Sequence, residues 1–160
     1  DSPHPAGDSC PHETDLFRAS EAIADRLAVL DEALAGSDLP TTVVHGDFGL
    51  HNILVTPDGS MILHDFELSR RERRLLDLVT SGRRLPGRQL GWFLSGYSEV
   101  CRVTTEEWAC LDLVAEEYWL RGAVQSWSNH RLHGGAERLR TATGRLELAD
   151  AARRGGWRVR

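Results

Sequence analysis

The stretch VVHGDFGLHNILVTPDGSMILHDFE, residues 43–67, decides the fold that we predict for this chain of 160 residues. Two short aliphatic runs, residues 53–55 and 61–63, lie on either side of a Pro-Asp-Gly sequence at 57–59. In such a turn, proline presets one backbone dihedral and glycine accepts a positive φ. The pattern therefore predicts two antiparallel strands that form a β-hairpin.

Three polar side chains lie at the ends of predicted strands. Asn52 precedes the first hairpin strand and Asp65 follows the second, so these two residues should lie side by side. Asp47 follows another short run, residues 41–44, after Gly46 allows the chain to turn sharply. An amide oxygen and a carboxylate are the hard ligands that Mg²⁺ prefers, and a further carboxylate nearby can accept a proton.

The motifs in this stretch resemble those of the aminoglycoside phosphotransferase and choline kinase families. The HGD at 45–47 with Asn52 matches the kinase catalytic loop H-x-D-x-x-x-x-N, and the DFE at 65–67 stands where protein kinases carry D-F-G. The Asp-Leu pair at 77–78 resembles the pair that opens the next helix in the family, and the sequence FLSGY at 93–97 resembles part of the helix after it. The resemblance covers more than half of the chain.

The resemblance implies an α+β fold that is mainly helical, a kinase-like C-lobe with a small catalytic β-hairpin. It implies an ATP-dependent phosphotransferase that moves the γ-phosphate to a hydroxyl of a small-molecule acceptor. In that reaction Asp47 would accept or orient the hydroxyl hydrogen, and His45 would organise the catalytic loop. Asn52 and Asp65 would hold Mg²⁺ and, through it, the phosphates of ATP. These motifs do not identify the acceptor.

The expected domain organisation is that of a C-lobe alone. Every basic residue is arginine, and no glycine-rich phosphate loop precedes the motifs, although a complete kinase uses a lysine and such a loop to hold ATP. Since the chain also begins with aspartate, we expect a fragment, a truncated product or one half of a split enzyme. The N-terminal ATP-binding lobe would then be absent and would be supplied by an N-lobe-bearing partner chain. The expected segments are a flexible lead-in at 1–13 and the phosphotransferase C-lobe at 14–160, with the catalytic loop at 45–52, the metal motif at 65–67 and a helical bundle at 75–150.

Helical patterns surround the hairpin. Leucine and isoleucine recur at three- and four-residue steps in residues 15–35, which predicts a helix. Further helices are expected at 75–84, 89–100, 105–127 and from about residue 136. The arginine-rich residues 69–74 are expected to form a solvated loop, or else to contact phosphate or an acidic peptide.

The acidic and aromatic residues of the predicted helices each allow a functional interpretation. Acidic residues could hold a cationic substrate, but a solvated helix face is expected instead. Aromatic residues could cage a quaternary ammonium group, but core packing is expected instead. The two sets are Glu106, Glu107, Asp112, Glu116 and Glu117, and Trp92, Tyr97, Trp119 and Trp127.

Composition limits the functional classes. A net charge of −5 does not suggest a nucleic-acid binder. No apolar run is long enough to span a bilayer, and the first residues lack the pattern of a signal peptide, so no membrane partner is expected. Cys10, Cys101 and Cys110 show neither a disulfide framework nor zinc-site spacing, which fits a reducing cytoplasm.

Two alternatives remain open. The first is a non-catalytic kinase-like lobe that acts as a binding module or partner subunit, which the missing lysine and glycine-rich loop favour. The second is a metal-dependent hydrolase, which leaves the amide at position 52 without a role. Its ligands would be His45, Asp47, His51, His64 and Asp65. In the kinase interpretation, the histidines at 51 and 64 are local fillers.

Overall fold

The structure is a computed structural model, and it describes residues 11–82, 85 and 87–155, with side chains from residue 19 onward. Helices make up most of the described residues, and four short strands form two antiparallel pairs. This arrangement agrees with the mainly helical α+β class that the sequence predicts. The described helices and strands surround the predicted catalytic loop and fix its position.

The helices are α1 Pro11–Ala35, α2 Leu75–Gly82, α3 Gly87–Val100, α4 Thr105–His133 and α5 Ala136–Arg153. α1 begins within the predicted lead-in, whose residues 1–10 lie outside the described residues. α4 begins at a capping box between Thr104 and Glu107, in which each side chain accepts a hydrogen bond from the other residue's backbone N–H. α4 extends beyond its predicted end at residue 127 and stops at His133. The next residue, Gly134, caps the helix with a φ of 66°. Within the described residues, no helix has both the length and the apolar character needed to cross a membrane.

The strands are β1 Thr41–Val44, β2 Ile53–Val55, β3 Met61–Leu63 and β4 Arg70–Arg73. β2 pairs with β3, with Ile53 opposite Leu63, which confirms the predicted hairpin. β1 pairs with β4, with Val44 opposite Arg70. The expectation of a solvated loop at 69–74 is therefore wrong. The sequence RRER has no apolar alternation that would predict a strand, and its pairing depends on a partner distant in sequence.

The hydrophobic core is centred on α4, which packs against α1, α2 and α5. Each of these four helices contributes fully buried apolar side chains, and burial of each large one stabilises the fold by about 1.5–3 kcal/mol. The most completely buried apolar residues include Leu30, Leu75, Val79, Ala115, Trp119 and Ala152. The contact between α2 and α4 matters for the site because α2 also contacts the predicted catalytic loop.

Arginine–glutamate pairs join α4 to α1 and to the end of β4. The pairs are Arg26–Glu116, Arg73–Glu117 and Arg74–Glu107, with shortest N–O distances of 2.5–2.7 Å. Glu107 and Glu116 are buried, so the expectation of a solvated acidic face is wrong for these residues. Helical periodicity places the glutamates on α4 but does not show which arginines from other elements reach them. These carboxylates are neutralised within the fold and are not arranged to hold a cationic substrate.

The four aromatic residues considered for a cation cage lie in different surroundings. Trp119 is fully buried, and Tyr97 packs against the same core. Trp127 packs against a second cluster between α4 and α5. Trp92 is 63% exposed, and the guanidinium carbon of Arg88 lies 4.9 Å from its ring centre. Core packing is confirmed for the first three residues and is wrong for Trp92.

Candidate active site

The predicted catalytic loop begins where β1 ends, and its first turn depends on Gly46. This residue has a φ of 84°, in the left-handed region that favours glycine. A Cβ atom placed there would also collide with the carbonyl oxygen of Leu68. Glycine is therefore required at this position for two reasons, the backbone conformation and the close approach of the segment that follows the hairpin.

His45 ties the catalytic loop to the end of the hairpin. The residue is 5% exposed, and its Nε2 donates to the carbonyl oxygen of His64 at 2.9 Å. The Asp47 backbone N–H donates to Nδ1 at 3.4 Å, so Nδ1 accepts and Nε2 carries the hydrogen. The imidazole also contacts Phe66, with 4.8 Å between ring centres. Because both ring nitrogens are used within the fold, the geometry suits loop organisation and not metal binding.

Asp77 of α2 holds the backbone of the same loop. Its Oδ2 accepts from the His45 backbone N–H at 2.9 Å, and its Oδ1 accepts from the Gly46 backbone N–H at 3.0 Å. One turn later on α2, Ser81 donates to the Phe48 carbonyl oxygen at 2.7 Å. The sequence marks Asp77 as the start of a helix but does not indicate this role. The available signal was a carboxylate between leucines in the first turn of a largely apolar helix, where packing of the leucines brings the carboxylate close to neighbouring backbone.

Asn52 is buried and directs its amide nitrogen towards the loop. Nδ2 donates to the Asp47 carbonyl oxygen at 2.9 Å. A carbonyl oxygen only accepts hydrogen bonds, so the nitrogen must face it, which leaves Oδ1 as the side-chain atom able to bind a cation. Amide oxygens are suitable ligands for a hard cation such as Mg²⁺. The orientation of Asn52 therefore fits the metal-binding role that the resemblance implies.

Asp65 follows β3 and lies just beyond the point where the hairpin closes. The His64 backbone N–H donates to the Asn52 carbonyl oxygen at 3.0 Å, so the two ends of the hairpin lie together as predicted. Asp65 has a φ of 66° and a ψ of 60°, and no other non-glycine residue in the described part of the chain has a positive φ. Aspartate is one of the few residues other than glycine that adopt this left-handed conformation. Asp65 therefore follows the hairpin at the end where Asn52 precedes it.

Asp47 lies on the open side of the loop. Its side chain is 34% exposed, and Oδ2 lies 3.0 Å from Nε2 of His51. A partly exposed carboxylate on a backbone fixed by hydrogen bonds is suited to accept a proton from a bound hydroxyl group. The sequence predicts that His51 is a local filler, whereas the structure puts its imidazole in contact with this carboxylate.

The geometry does not support the metal-dependent hydrolase alternative. The residues that the structure describes contain no group of three or more His, Cys, Asp or Glu side chains that could hold a metal ion. The imidazole of His45 is unsuitable as a ligand because both of its nitrogens take part in hydrogen bonds with the loop and the hairpin. Among the described residues, the hydrolase interpretation therefore has no cluster of ligands to support it. What the site offers is one partly exposed carboxylate on the loop, and two residues with hard oxygen atoms at the ends of the hairpin.

Comparison with known proteins agrees with the motifs. The family model described as "APH: Phosphotransferase enzyme family" matches residues 3–114, which is more than half of the chain. The matched region includes the loop with Asp47, the hairpin with Asn52 and Asp65 at its ends, and Asp77, which binds the backbone of the loop. No curated protein matches the chain.

Proposed function

The chain belongs to the APH phosphotransferase enzyme family, and we propose that it transfers the γ-phosphate of ATP to a hydroxyl group of a small molecule. The observation that carries this proposal is the Asn52 side chain, whose amide nitrogen binds the backbone of Asp47 at 2.9 Å. This contact links the catalytic loop to the hairpin and leaves the amide oxygen of Asn52 as the side-chain atom that would bind the cation. The geometry thus supports a kinase-like C-lobe, with the acid–base and metal-binding groups on neighbouring elements.

In the proposed reaction, Asp47 accepts or orients the hydrogen of the acceptor hydroxyl. Its partly exposed carboxylate leaves room for that hydroxyl to approach. The backbone of the loop is held in place because the carboxylate of Asp77 accepts hydrogen bonds from the N–H groups of His45 and Gly46. A fixed carboxylate lowers the barrier through both positioning and proton transfer, and general acid–base catalysis typically contributes about 10²- to 10⁴-fold.

We assign Mg²⁺ binding to the Asn52 amide oxygen and the Asp65 carboxylate. Bound Mg²⁺ supplies positive charge that offsets the negative charge of the ATP phosphates. Asn52 is fixed by its hydrogen bond to the loop, and Asp65 by its position directly after β3. These two residues would therefore orient the phosphates relative to Asp47, so that the acceptor oxygen approaches the γ-phosphorus in line.

A second lobe is part of the proposal. None of the 160 residues is a lysine, and kinases use one to hold the α- and β-phosphates. The hairpin that carries the proposed metal-binding residues exposes apolar side chains on both of its faces, Leu54 and Ile62 on one and Val55 and Met61 on the other. Exposed apolar side chains grouped on one element are typical of interaction sites. We therefore propose that a lysine-bearing ATP-binding lobe, for example on an N-lobe-bearing partner chain, covers the hairpin.

The absence of lysine also favours one other function, a non-catalytic lobe that acts as a binding module or partner subunit. The test uses the protein with Mg²⁺, γ-labelled ATP and a panel of hydroxyl compounds, with and without a lysine-bearing ATP-binding lobe. We expect label transfer to one acceptor class and its loss in Asp47→Asn. A complex with the second lobe that transfers no label to any acceptor would favour the binding module.

A further inference from the structure

The imidazole of His51 is held over the catalytic loop by a short helical turn, Leu50–Asn52. The turn directs the ring back along the chain, so that Nε2 lies 3.0 Å from Oδ2 of Asp47. An ionised carboxylate only accepts hydrogen bonds, so Nε2 must carry a hydrogen. That condition holds for the cationic ring and for the neutral tautomer protonated at Nε2, so the contact does not require His51 to be charged.

Gly49 makes space for this ring. A Cβ atom at position 49 would lie 2.6 Å from Cε1 and 2.7 Å from Nδ1 of His51, which is closer than real side chains approach. The backbone of Gly49 has a φ of −151° and a ψ of 162°, an extended conformation that any residue can adopt. Glycine is therefore needed here for the volume that the imidazole occupies and not for the backbone conformation.

The hydrogen bond from His51 acts on the side chain of Asp47, which the main-chain hydrogen bonds leave free to rotate. The backbone N–H of Asp47 binds His45, and its carbonyl oxygen binds Asn52. These bonds fix the Cα atom, but they do not determine the χ1 rotamer, and the carboxylate is partly exposed to solvent. A donor that binds Oδ2 selects one rotamer and leaves Oδ1 for the acceptor hydroxyl.

We propose that His51 is a positioning residue, which holds the carboxylate of Asp47 in one rotamer through the space that Gly49 provides. The contribution to phosphate transfer rests on the proposed function, whereas the effect on the rotamer does not. A hydrogen bond between an imidazole and a carboxylate at a partly exposed site should change the transfer rate by about three- to tenfold.

Three variants separate the hydrogen bond from the bulk of the side chain. In His51→Gln, an amide N–H₂ replaces Nε2–H at a similar reach, so the donor is kept. In His51→Met, a side chain of similar size and shape to glutamine lacks the donor. In Gly49→Ala, the histidine is intact but its ring is displaced. Because His51 lies at the surface, we expect both His51 variants to fold. Gly49 is buried, but its added methyl group would meet only the exposed imidazole of His51, so we expect Gly49→Ala to fold as well.

The experiment measures the three-bond couplings from the Asp47 backbone N and C′ to its Cγ by NMR, which report the χ1 rotamer populations. We expect one dominant rotamer in the wild type and in His51→Gln, and averaged couplings in His51→Met and Gly49→Ala. Couplings in His51→Met that equal those of the wild type would overturn the proposal. Averaged couplings in His51→Gln, like those of His51→Met, would also overturn it.

The transfer rate is measured on the same proteins. We expect His51→Met to lower kcat by about three- to tenfold with the KM for Mg·ATP unchanged, and His51→Gln to restore kcat. Adding Gly49→Ala to His51→Met should have no further effect, because the ring that the added methyl group would displace is already absent. Absence of transfer in the wild type would contradict the proposed function alone, because the couplings still decide the role of His51. An equal loss of kcat in the Gln and Met variants would overturn the proposal.

Discussion

The Gly46 backbone nitrogen donates a 3.0 Å hydrogen bond to Oδ1 of Asp77, which lies 31 residues later on α2. The other oxygen of the same carboxylate accepts from His45, so one side chain satisfies two successive N–H groups of the catalytic loop. α2 is itself packed against α4 in the core. Asp77 therefore links the catalytic loop to the packed core, together with the Ser81 hydroxyl, which donates to the Phe48 carbonyl oxygen.

Replacing Asp77 should loosen the loop without unfolding the protein. In Asp77→Asn, one carboxylate oxygen becomes an N–H₂ group, which cannot accept from the N–H that faces it. Hydrogen bonds to a charged group contribute about 1.5–3 kcal/mol, so amide exchange at His45 and Gly46 should accelerate about 10- to 100-fold. Asp58→Asn is the matched control, because Asp58 also binds a backbone N–H but at the far end of the hairpin. Equal acceleration at both loop amides in the control would contradict this account.

A pair of glycine variants tests the close approach of Leu68 to the loop. Gly46 and Gly59 have nearly the same φ, 84° and 85°, but a Cβ atom would collide with Leu68 only at position 46. At position 59 it would meet nothing within 4 Å. Gly59→Ala should therefore lower the free energy of unfolding by about 1 kcal/mol, from backbone strain alone. Gly46→Ala should cost about 2–4 kcal/mol because overpacking adds to the strain.

Denaturant unfolding of both variants measures the difference. Similar destabilisation in the two proteins would show that Leu68 can move away at little cost. A larger loss in Gly46→Ala would also be accompanied by faster exchange of the His45 amide, because that amide shares the turn.

The buried pair between Arg74 and Glu107 should make stability depend on pH in the acid range. The guanidinium of Arg74 holds the pKa of Glu107 below its usual range. The unfolded chain therefore takes up a proton at this residue at a higher pH than the folded protein does. The stabilisation is complete above the ordinary glutamate pKa of about 4.3 and is lost as the pH falls below it through the folded pKa.

Glu107→Gln tests this expectation. Breaking a buried pair by removing one charge typically costs about 3–5 kcal/mol, so the variant should be strongly destabilised at pH 7. The difference in unfolding free energy from the wild type should stay constant down to about pH 5 and shrink below about pH 4. Asp150→Asn is the control, because Asp150 pairs with Arg153 and Arg154 on the exposed surface and should change stability little. A pH-independent difference for Glu107→Gln would contradict the assigned charge state.

The hairpin could be predicted because its determinants are local. The turn at 57–59 and the two aliphatic runs fix strand pairing within a few residues, so Asn52 and Asp65 could be placed at its two ends. β4 could not be predicted, because its four residues are polar and become a strand only through pairing with β1. The local sequence pattern therefore predicts the hairpin that has Asn52 and Asp65 at its ends.

Like β4, the long-range contacts of polar side chains could not be predicted from the sequence. Asp77 was placed correctly at the start of a helix, but its two backbone partners lie about 30 residues earlier. Glu107 was placed correctly near the start of α4, but its burial against Arg74 was not expected. In both cases the partner is brought close by tertiary packing, which periodicity does not describe. The contact of His51 with Asp47 is local but depends on the space left by Gly49.

Asp65 and Asp47 have different roles in the proposed reaction. Asp65→Asn keeps a residue that tolerates the left-handed backbone but removes the charge that would hold Mg²⁺. Asp47→Asn keeps the shape of the side chain and an oxygen that can accept from His51, but it removes the proton-accepting carboxylate. The first change should weaken nucleotide binding, and the second should lower turnover by about 10²- to 10⁴-fold with binding retained.

The most direct measurement is a calorimetric titration of ATP, with and without Mg²⁺, into the wild type, Asp65→Asn and Asp47→Asn, each in the presence of a lysine-bearing ATP-binding lobe. We predict Mg²⁺-dependent binding that is kept in Asp47→Asn and weakened about tenfold or more in Asp65→Asn, a change of at least about 1.4 kcal/mol. Binding that does not depend on Mg²⁺, or an equal loss of affinity in the two variants, would contradict the account.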